Sequence, residues 1–341
     1  MERMDLDMQH QKDSLTPLVA VYMISYNHAP FVAQALQSVI DQAVDFAIHI
    51  YIGDDASKDD TQKIIAEFQE RYPKLITATL RATNVGAREN ARDILEQAWN
   101  SGAKYVAFLE GDDYWSSNTK LAKQTKWMEE NEELGLTFHK TAILNVEGQF
   151  LESDLNPWTS ARTFTIEDFA RRNFVHTPSI LLRISAFPGW PSWTPTVIAG
   201  DYLIAALVAR DHKLGYLPDE MAVYRIHSGG IWTAATRTYQ TLHWINLLDN
   251  LRNEGFPETV RQVWLEDIEE KLHPIIVELY YSDRKKFTEV MTNLGHRYPG
   301  VSKEWLLNRY PSIVSNFENS IWVRMGKKIN GIKSKLFGKS K

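Results

Sequence analysis

The chain has 341 residues, 44% of them hydrophobic and 24% charged, with a formal net charge of −5 and no cysteine. This composition fits an ordinary globular fold with room for one large domain and an appendage. It argues against nucleic acid as the main partner, which requires clustered excess Lys and Arg, and it excludes disulfides, a thiolate nucleophile and Cys-ligated zinc.

Residues 1–16 carry Glu2, Asp5, Asp7 and Asp13 and lack an apolar core, so we expect a flexible N-terminus that is neither signal peptide nor membrane anchor. The continuous apolar run Leu18 to Ile24 predicts a strand buried on both faces, as in a parallel sheet. Pro30 suits the first position of a helix with Phe31, Ala35, Leu36, Val39 and Ile40 inward. A second strand, Phe46 to Ile52, ends at Gly53-Asp54-Asp55, and Ser57 with Asp60 has capping-box spacing before a helix carrying Ile64, Ile65, Phe68 and Tyr72. A strand over Ile76 to Leu80 follows, then a helix over Glu89 to Asn100 with Gly102 at its C-cap, then a strand over Tyr105 to Leu109. This βαβαβαβ order predicts an α/β fold with a mostly parallel central sheet flanked by helices, and such sheets bind ligands at the carboxyl ends of their strands.

Farther along, a helix with Leu121, Gln124 and Met128 precedes strands near Leu136 to Leu144 and Ser179 to Arg183, and a Pro- and Trp-rich loop runs from Phe187 to Thr196. Tyr202 to Ala209 reads as an apolar helix. From about Tyr239 the residues Leu242, Ile245, Leu248 and Leu251 fall at helical spacing. We therefore expect a catalytic domain over 17–235, a helical appendage over 236–320 and a basic amphipathic tail over 321–341. In that tail Lys and Arg without acids flank Ile321, Met325, Ile329, Ile332 and Leu336. It reads equally as a peripheral contact with an anionic membrane face and as a solvated end. No apolar run approaches the ~20 residues of a spanning helix, so the expected location is cytoplasmic, possible peripheral contact included.

The topology brings three polar clusters to one crevice: Ser25-Tyr26-Asn27, Gly53-Asp54-Asp55 and Glu110-Gly111-Asp112-Asp113. Like charges at ~4 Å cost about 4 kcal/mol each at an effective dielectric near 20, which a helix N-terminus, at about 0.3 to 1 kcal/mol, does not offset. A divalent cation with oxygen ligands does, and Mg²⁺ or Mn²⁺ bridging a diphosphate is the natural candidate. On the acids alone, Asp112 and Asp113 read equally as a turn that caps the next helix.

The ordered series Ile24-Ser25-Tyr26-Asn27, Gly53-Asp54-Asp55-Ala56-Ser57, Asn84-Val85-Gly86, Glu110-Gly111-Asp112-Asp113-Tyr114-Trp115, Gly200-Asp201-Tyr202 and Tyr224-Arg225-Ile226-His227 resembles the family 2 glycosyltransferases of the GT-A fold. Many members of that family build bacterial surface polysaccharides. The resemblance covers Leu18 to Trp232 and implies an inverting, metal-dependent transfer from a nucleotide diphosphate sugar, by default a UDP-sugar, to a saccharide or lipid-linked saccharide. It implies that Tyr26 and Asp55 contact the base, that Asp112 holds the ribose, that Asp113, with Asp112, binds Mn²⁺ or Mg²⁺, and that Asp201 is the general base. Where relatives often show two successive acids, Gly200 precedes Asp201 here. Arg88 is a secondary candidate for base or phosphate, and His227 for the metal. Asp201 reads also as a helix N-cap, His227 as a structural histidine, and Trp190 and Trp193 either stack an acceptor sugar or pack the core.

The Gln-x-x-Arg-Trp motif of processive relatives is absent, and Arg261-Gln262-Val263-Trp264 is a chance likeness on a helix, so a single transfer per binding event is expected. Two alternatives stand. One is a non-catalytic nucleotide-sugar or glycan-binding module on the same fold. The other, a sugar nucleotidyltransferase, would need a Gly-rich basic phosphate loop that Ser25 to Pro30 does not supply.

Overall fold

The structure, a computed structural model, describes residues 16–152, 155–194, 200–227, 229–230, 236–282 and 285. In chain order these form β1 (Val19–Ser25), α1 (Val32–Ile40), β2 (Ile48–Asp54), α2 (Thr61–Arg71), β3 (Ile76–Leu80), α3 (Ala87–Trp99), β4 (Tyr105–Glu110), β5 (Tyr114–Trp115), α4 (Lys120–Glu130) and β6 (Leu134–Leu144). There follow β7 (Phe150–Leu151), β8 (Arg162–Phe164), α5 (Ile166–Arg171), β9 (Leu181–Arg183), α6 (Gly200–Ala209), β10 (Lys213–Arg225), α7 (Arg237–Leu251) and α8 (Glu258–Ser282). The residues through Lys271 belong to one compact unit, and Leu272 opens a second. No helix among the described residues is long and apolar enough to cross a membrane.

The described strands form one sheet in the order β3-β2-β1-β4-β9-β6-β10-β5, with β7 added to β6 and β8 to β10. The four strands β3-β2-β1-β4 are mutually parallel. The short β9 then runs antiparallel to both β4 and β6, and β10 pairs parallel with β6. Residues Val19 to Met23 of β1 are buried without interruption, which is the reason this strand carries no polar alternation. Helix α1 seats Val32, Ala35, Leu36 and Val39 on the sheet, and Ile65 of α2 joins the same core with Ile64, Phe68 and Tyr72 packed at its edge.

Local chemistry departs from the sequence expectations at several helix ends. Pro30 precedes α1 rather than opening it, Phe31 stands at the N-cap, and the turn closes by Phe31 and Val32 N–H groups donating to the His28 carbonyl at 2.8 and 2.9 Å. The Ser57–Asp60 capping box does not form. The helix starts later, at Thr61, with Asp60 at the N-cap and no side-chain bond there, while Ser57 Oγ accepts from Asn27 N–H and donates to the buried Asp54 carboxylate. Gly102 lies two residues beyond the Asn100 cap of α3, with φ at 83°. The strand expected from Ser179 starts at Leu181, after a 3-10 turn over Thr177–Ser179.

Candidate active site

Register sets the site. Ser25 of β1 lies opposite Asp54 of β2, and Ile24 lies opposite Glu110 of β4, so three parallel strands deliver their carboxyl ends to one rim. Strand β10 reaches the same rim, with Val223 opposite Tyr114 of β5. The Tyr26, Asp55, Asp112 and Asp113 loops therefore meet, as the alternation of strands and helices predicts.

The loops after β1, β2 and β3 are tied to one another. Asn27 stands at φ 55° and Ala56 at φ 61°, left-handed conformations unusual for residues other than glycine. Asn27 N–H donates to Ser57 Oγ at 2.8 Å while its Oδ1 accepts from Lys58 N–H at 2.8 Å. Asp59 Oδ2 accepts from Ala29 N–H at 3.1 Å. Asp55, only 2% exposed, accepts from Val85 N–H at 2.7 Å on Oδ1 and from Gly86 N–H at 2.9 Å on Oδ2. Each oxygen keeps a second lone pair, so Asp55 both shapes the 84–86 turn and can accept a further donor. Tyr26 is 39% exposed at this rim. Arg88 lies exposed in the first turn of α3, directly after the same turn.

Beside these loops stands the acidic cluster. Single ligand atoms of Glu110, Asp112 and Asp113 all lie within 4.8 Å of one another, and so do those of His28, Asp112 and His227. Asp112 Oδ2 faces His227 Nε2 at 2.9 Å and His28 Nε2 at 3.5 Å. Asp113 is 1% exposed; its Oδ1 accepts from Arg225 N–H at 2.8 Å, and its Oδ2, like Asp112 Oδ1, has no hydrogen-bond partner. The Arg225 guanidinium offsets the Asp113 charge only in part, since burial, Asp112 and Glu110 act more strongly on it. It stacks over Tyr114 and Phe31, 4.5 and 5.1 Å from the ring centroids, and donates to the Asp112 main-chain carbonyl.

Burial, with the neighbouring Asp112 and Asp201 charges, pushes the Glu110 carboxyl up to about 8. Burial together with Asp112 and Glu110 holds Asp113 well above the usual carboxylate range. Burial also opposes the Asp112 charge, but the His227 hydrogen bond and the His28 and His227 rings outweigh it and leave its carboxyl below the usual range. Orphaned carboxylate oxygens in a buried like-charge cluster are the features a divalent cation removes, so these residues fit Mn²⁺ or Mg²⁺. His227 Nδ1 accepts from Gly229 N–H at 3.2 Å, which leaves the ring proton on Nε2. Coordination through Nε2 requires that proton to move to Nδ1 and the Gly229 contact to open.

Across the cluster lies Asp201, in the first turn of α6 rather than at its cap. Its Oδ1 accepts from Tyr202 N–H at 2.7 Å, its Oδ2 accepts from Thr177 Oγ1 at 3.1 Å, and burial raises its pKa. The Tyr224 phenol, raised first by burial, also feels the charges of Glu110, Asp113, Asp112 and Asp201, so all four acids lie within electrostatic reach of it. Its ring stacks on His176 at 5.5 Å and 17°. Burial lowers His176 to about 4, so the floor of this corner is a neutral aromatic pair. Thr177, His176 and His28 carried no role in the sequence reading. Their signal is tertiary, apart from the position of His28 one residue past the Ser25-Tyr26-Asn27 cluster.

Trp190 and Trp193 are not at this rim, which corrects their assignment to an acceptor. Strand β9 descends antiparallel to β4, so that Arg183 lies opposite Tyr105 at the amino end. Phe187, just after it, packs on Trp99 at the end of α3 and on Trp190, with centroids 4.9 Å apart in both pairs. Trp193 Nε1 donates to Glu254 Oε1 at 2.6 Å, and the Glu254 carbonyl accepts from Arg210, past the far end of α6, at 3.1 Å. Trp264, from the chance motif, is fully buried and donates to the Tyr202 hydroxyl at 3.0 Å. Residues 321–341 and 1–15 lie outside the described residues.

Residues 20–184 match the sequence profile of Glycosyl transferase family 2. That segment, just under half of the chain, is what this protein shares with the family. The chain is 34% identical over 217 residues to the uncharacterized protein Rv1520 of Mycobacterium tuberculosis, a stretch covering 64% of this chain and 61% of that protein, so it spans under two thirds of this relative's length. It is 32% identical over 112 residues to the Escherichia coli UDP-Glc:alpha-D-GlcNAc-diphosphoundecaprenol beta-1,3-glucosyltransferase WfaP, covering 33% of this chain and 41% of that one. Its fold is that of S. aureus TarS 1–349 in complex with UDP-GlcNAc, with a TM-score of 0.61, 16% identity and coverage of 82% and 80% of the two chains. It is also that of the Pyrobaculum calidifontis mannosyltransferase PcManGT in complex with GDP-Man and Mn²⁺, with a TM-score of 0.54, 15% identity and coverage of 86% and 84%. The chain thus has the GT-A fold its sequence implies.

Proposed function

We propose that this glycosyltransferase moves a sugar from a nucleotide diphosphate, by default a UDP-sugar, to a hydroxyl of a saccharide or lipid-linked saccharide, with inversion and one transfer per binding event. The observation that carries this reading is the close cluster of Glu110, Asp112 and Asp113 with buried carboxylate oxygens left unpartnered, within electrostatic reach of the hydrogen-bonded Asp201 carboxylate.

In this reading Tyr26 and Asp55 bind the base, Arg88 lies within the same nucleotide-binding region, and Asp112 holds the ribose. Asp113 and Asp112, with His227 and His28 at the edge of the site, hold Mn²⁺ or Mg²⁺. A cation bound there supplies Lewis-acid stabilisation of the charge that develops on the departing diphosphate. Asp201 takes the proton of the acceptor hydroxyl. That hydroxyl becomes acidic only as its oxygen bonds the anomeric carbon, so a carboxylate serves, and burial that raises its pKa makes it a stronger base. Attack from the Asp201 side, opposite the leaving diphosphate, inverts the anomeric carbon. The reading assigns the catalytic domain to 17–235 and the reaction to the cytoplasm, with residues 321–341 available for peripheral membrane contact. The WfaP name, with its diphosphoundecaprenol-linked acceptor, supports a lipid-linked substrate.

The test is a panel of UDP- and GDP-sugars with Mn²⁺ or Mg²⁺, scored for nucleotide release with saccharide acceptors, together with calorimetry of UDP binding. Asp113→Ala should lose metal-dependent UDP binding, and Asp201→Asn should keep it while slowing transfer ~10²- to 10⁴-fold. Native transfer by Asp201→Asn would remove Asp201 from the mechanism, and UDP binding without turnover of any sugar nucleotide would favour a binding module.

A further inference from the structure

A general base acts only if its lone pair is aimed at the proton it removes, and a carboxylate at the end of a side chain is free to rotate unless both oxygens are held. In Asp201 both are held. The Tyr202 N–H fixes Oδ1 at 2.7 Å from within the helix, and Thr177 Oγ1 fixes Oδ2 at 3.1 Å from a segment 24 residues away.

That segment is itself rigid. Thr177 opens the 3-10 turn Thr177–Ser179, with Pro178 in its first turn, and Ser179 N–H and Oγ both donate back to the His176 carbonyl, at 3.0 and 2.6 Å. The turn is pinned to the core by two side chains from the acidic-loop side of the molecule. Trp115 Nε1 donates to the Pro178 carbonyl at 3.0 Å, and Gln124 Nε2 donates to the Ser179 carbonyl at 2.9 Å. Trp115 ends the same loop that carries Asp112 and Asp113. A continuous set of hydrogen bonds and packed rings therefore joins the metal-side acids to the carboxylate across the cleft.

We propose that Thr177 is a positioning residue that orients the Asp201 carboxylate toward the acceptor hydroxyl, and that the Trp115–Pro178 hydrogen bond fixes its distance from the Asp112–Asp113 loop. The inference rests on the assignment of Asp201 as base. Thr177 touches neither donor nor metal in this scheme, so its loss acts on kcat and leaves donor binding alone.

The experiment is a double-mutant cycle in the full chain, with kcat and donor KM measured for wild type, Thr177→Val, Thr177→Ser, Asp201→Asn and the Thr177→Val/Asp201→Asn pair. Thr177→Val keeps the shape and removes the hydroxyl, and kcat should fall about 10- to 100-fold, the scale of a misplaced catalytic group, with donor KM unchanged. Thr177→Ser restores the hydroxyl and should recover most of kcat. On the Asp201→Asn background Thr177→Val should produce no further fall, because two residues acting as one unit are non-additive. Calorimetric UDP affinity and the melting midpoint serve as controls for folding, and Thr177→Ala provides a second deletion of the hydroxyl should the valine variant misfold. Native kcat in Thr177→Val, a slow Thr177→Ser, or an additive loss in the pair would each overturn the positioning role while a slow Asp201→Asn left the base in place. A native rate in Asp201→Asn would instead remove the base itself.

Discussion

Lys120 permits the sharpest test of the energetics beneath the site. Its side chain is fully buried, with Nζ 2.8 Å from Gln124 Oε1 and 4.3 Å above the centroid of Trp115. Burial pushes its pKa well below the ordinary lysine value. An ammonium withdrawn from water without a carboxylate costs several kcal/mol, whereas a desolvated cation–π contact returns about 2 kcal/mol. The Gln124 bond serves a neutral amine as well as a charged one, so it does not favour the charge. The folded state therefore binds fewer protons than the unfolded chain between the lowered pKa and about 10.4. With fewer protons bound when folded, stability rises with pH across that window, by up to about 1.4 kcal/mol per unit. Lys120→Met keeps the volume, removes the desolvation and leaves only Gln124 Oε1 without its donor, so at pH 7 the variant should be more stable by about 1–3 kcal/mol. Urea denaturation of both proteins at pH 7, 8 and 9 measures this, and the gap should narrow toward pH 9. A less stable Met variant whose pH slope matches wild type would show that Lys120 is folded as a well-paired cation and refute the argument.

Gly53 has no room for a side chain, since a Cβ there would sit 2.6 Å from Asn90 Oδ1 and against Ile94; Gly53→Ala should lower stability by about 1–3 kcal/mol in urea denaturation, and an unchanged midpoint would contradict the close approach of α3 to β2. Asp55→Ala leaves the Val85 N–H without its acceptor and the Gly86 N–H with only Asn84 Oδ1, at 3.1 Å, and calorimetry should show UDP affinity falling at least about tenfold with a stability loss of about 1–3 kcal/mol; native affinity would count against Asp55 as a base-binding residue. Imidazole suits Mn²⁺ better than Mg²⁺, so with His28 and His227 beside Asp112 the wild type should bind Mn²⁺ more tightly, and His28→Ala should shrink that preference when metal binding is measured in the presence of UDP. Equal affinities for the two ions in wild type would remove both histidines from the coordination shell.

The parallel half of the sheet was legible because strands buried on both faces must be apolar throughout, and Leu18 to Ile24 and Tyr105 to Leu109 are. The acidic rim followed, since parallel strands deliver their carboxyl ends to one side. Ser57 misled because spacing cannot say which N–H a hydroxyl oxygen accepts from, and here Ser57 Oγ accepts from Asn27 N–H of another loop while donating to the buried Asp54 carboxylate. Trp190 and Trp193 misled because a three-residue antiparallel strand, β9, sends the chain to the opposite pole, and nothing in a Pro- and Trp-rich loop encodes that direction. Thr177, His176 and Tyr224 meet Asp201 only through packing between segments far apart in sequence, so their residue types were visible but their company was not.

On the proposed reading, the cross-bonding of the loops after β1, β2 and β3, anchored by Asn27 and Ala56 in left-handed geometry, means that the nucleotide side of the cleft is assembled when the chain folds. Its loss of freedom is charged to folding and not to substrate capture, so a nucleotide arriving there meets a finished mould. Substitutions in these loops accordingly report on two quantities at once, the melting of the domain and its grip on the nucleotide, and the two should decline together.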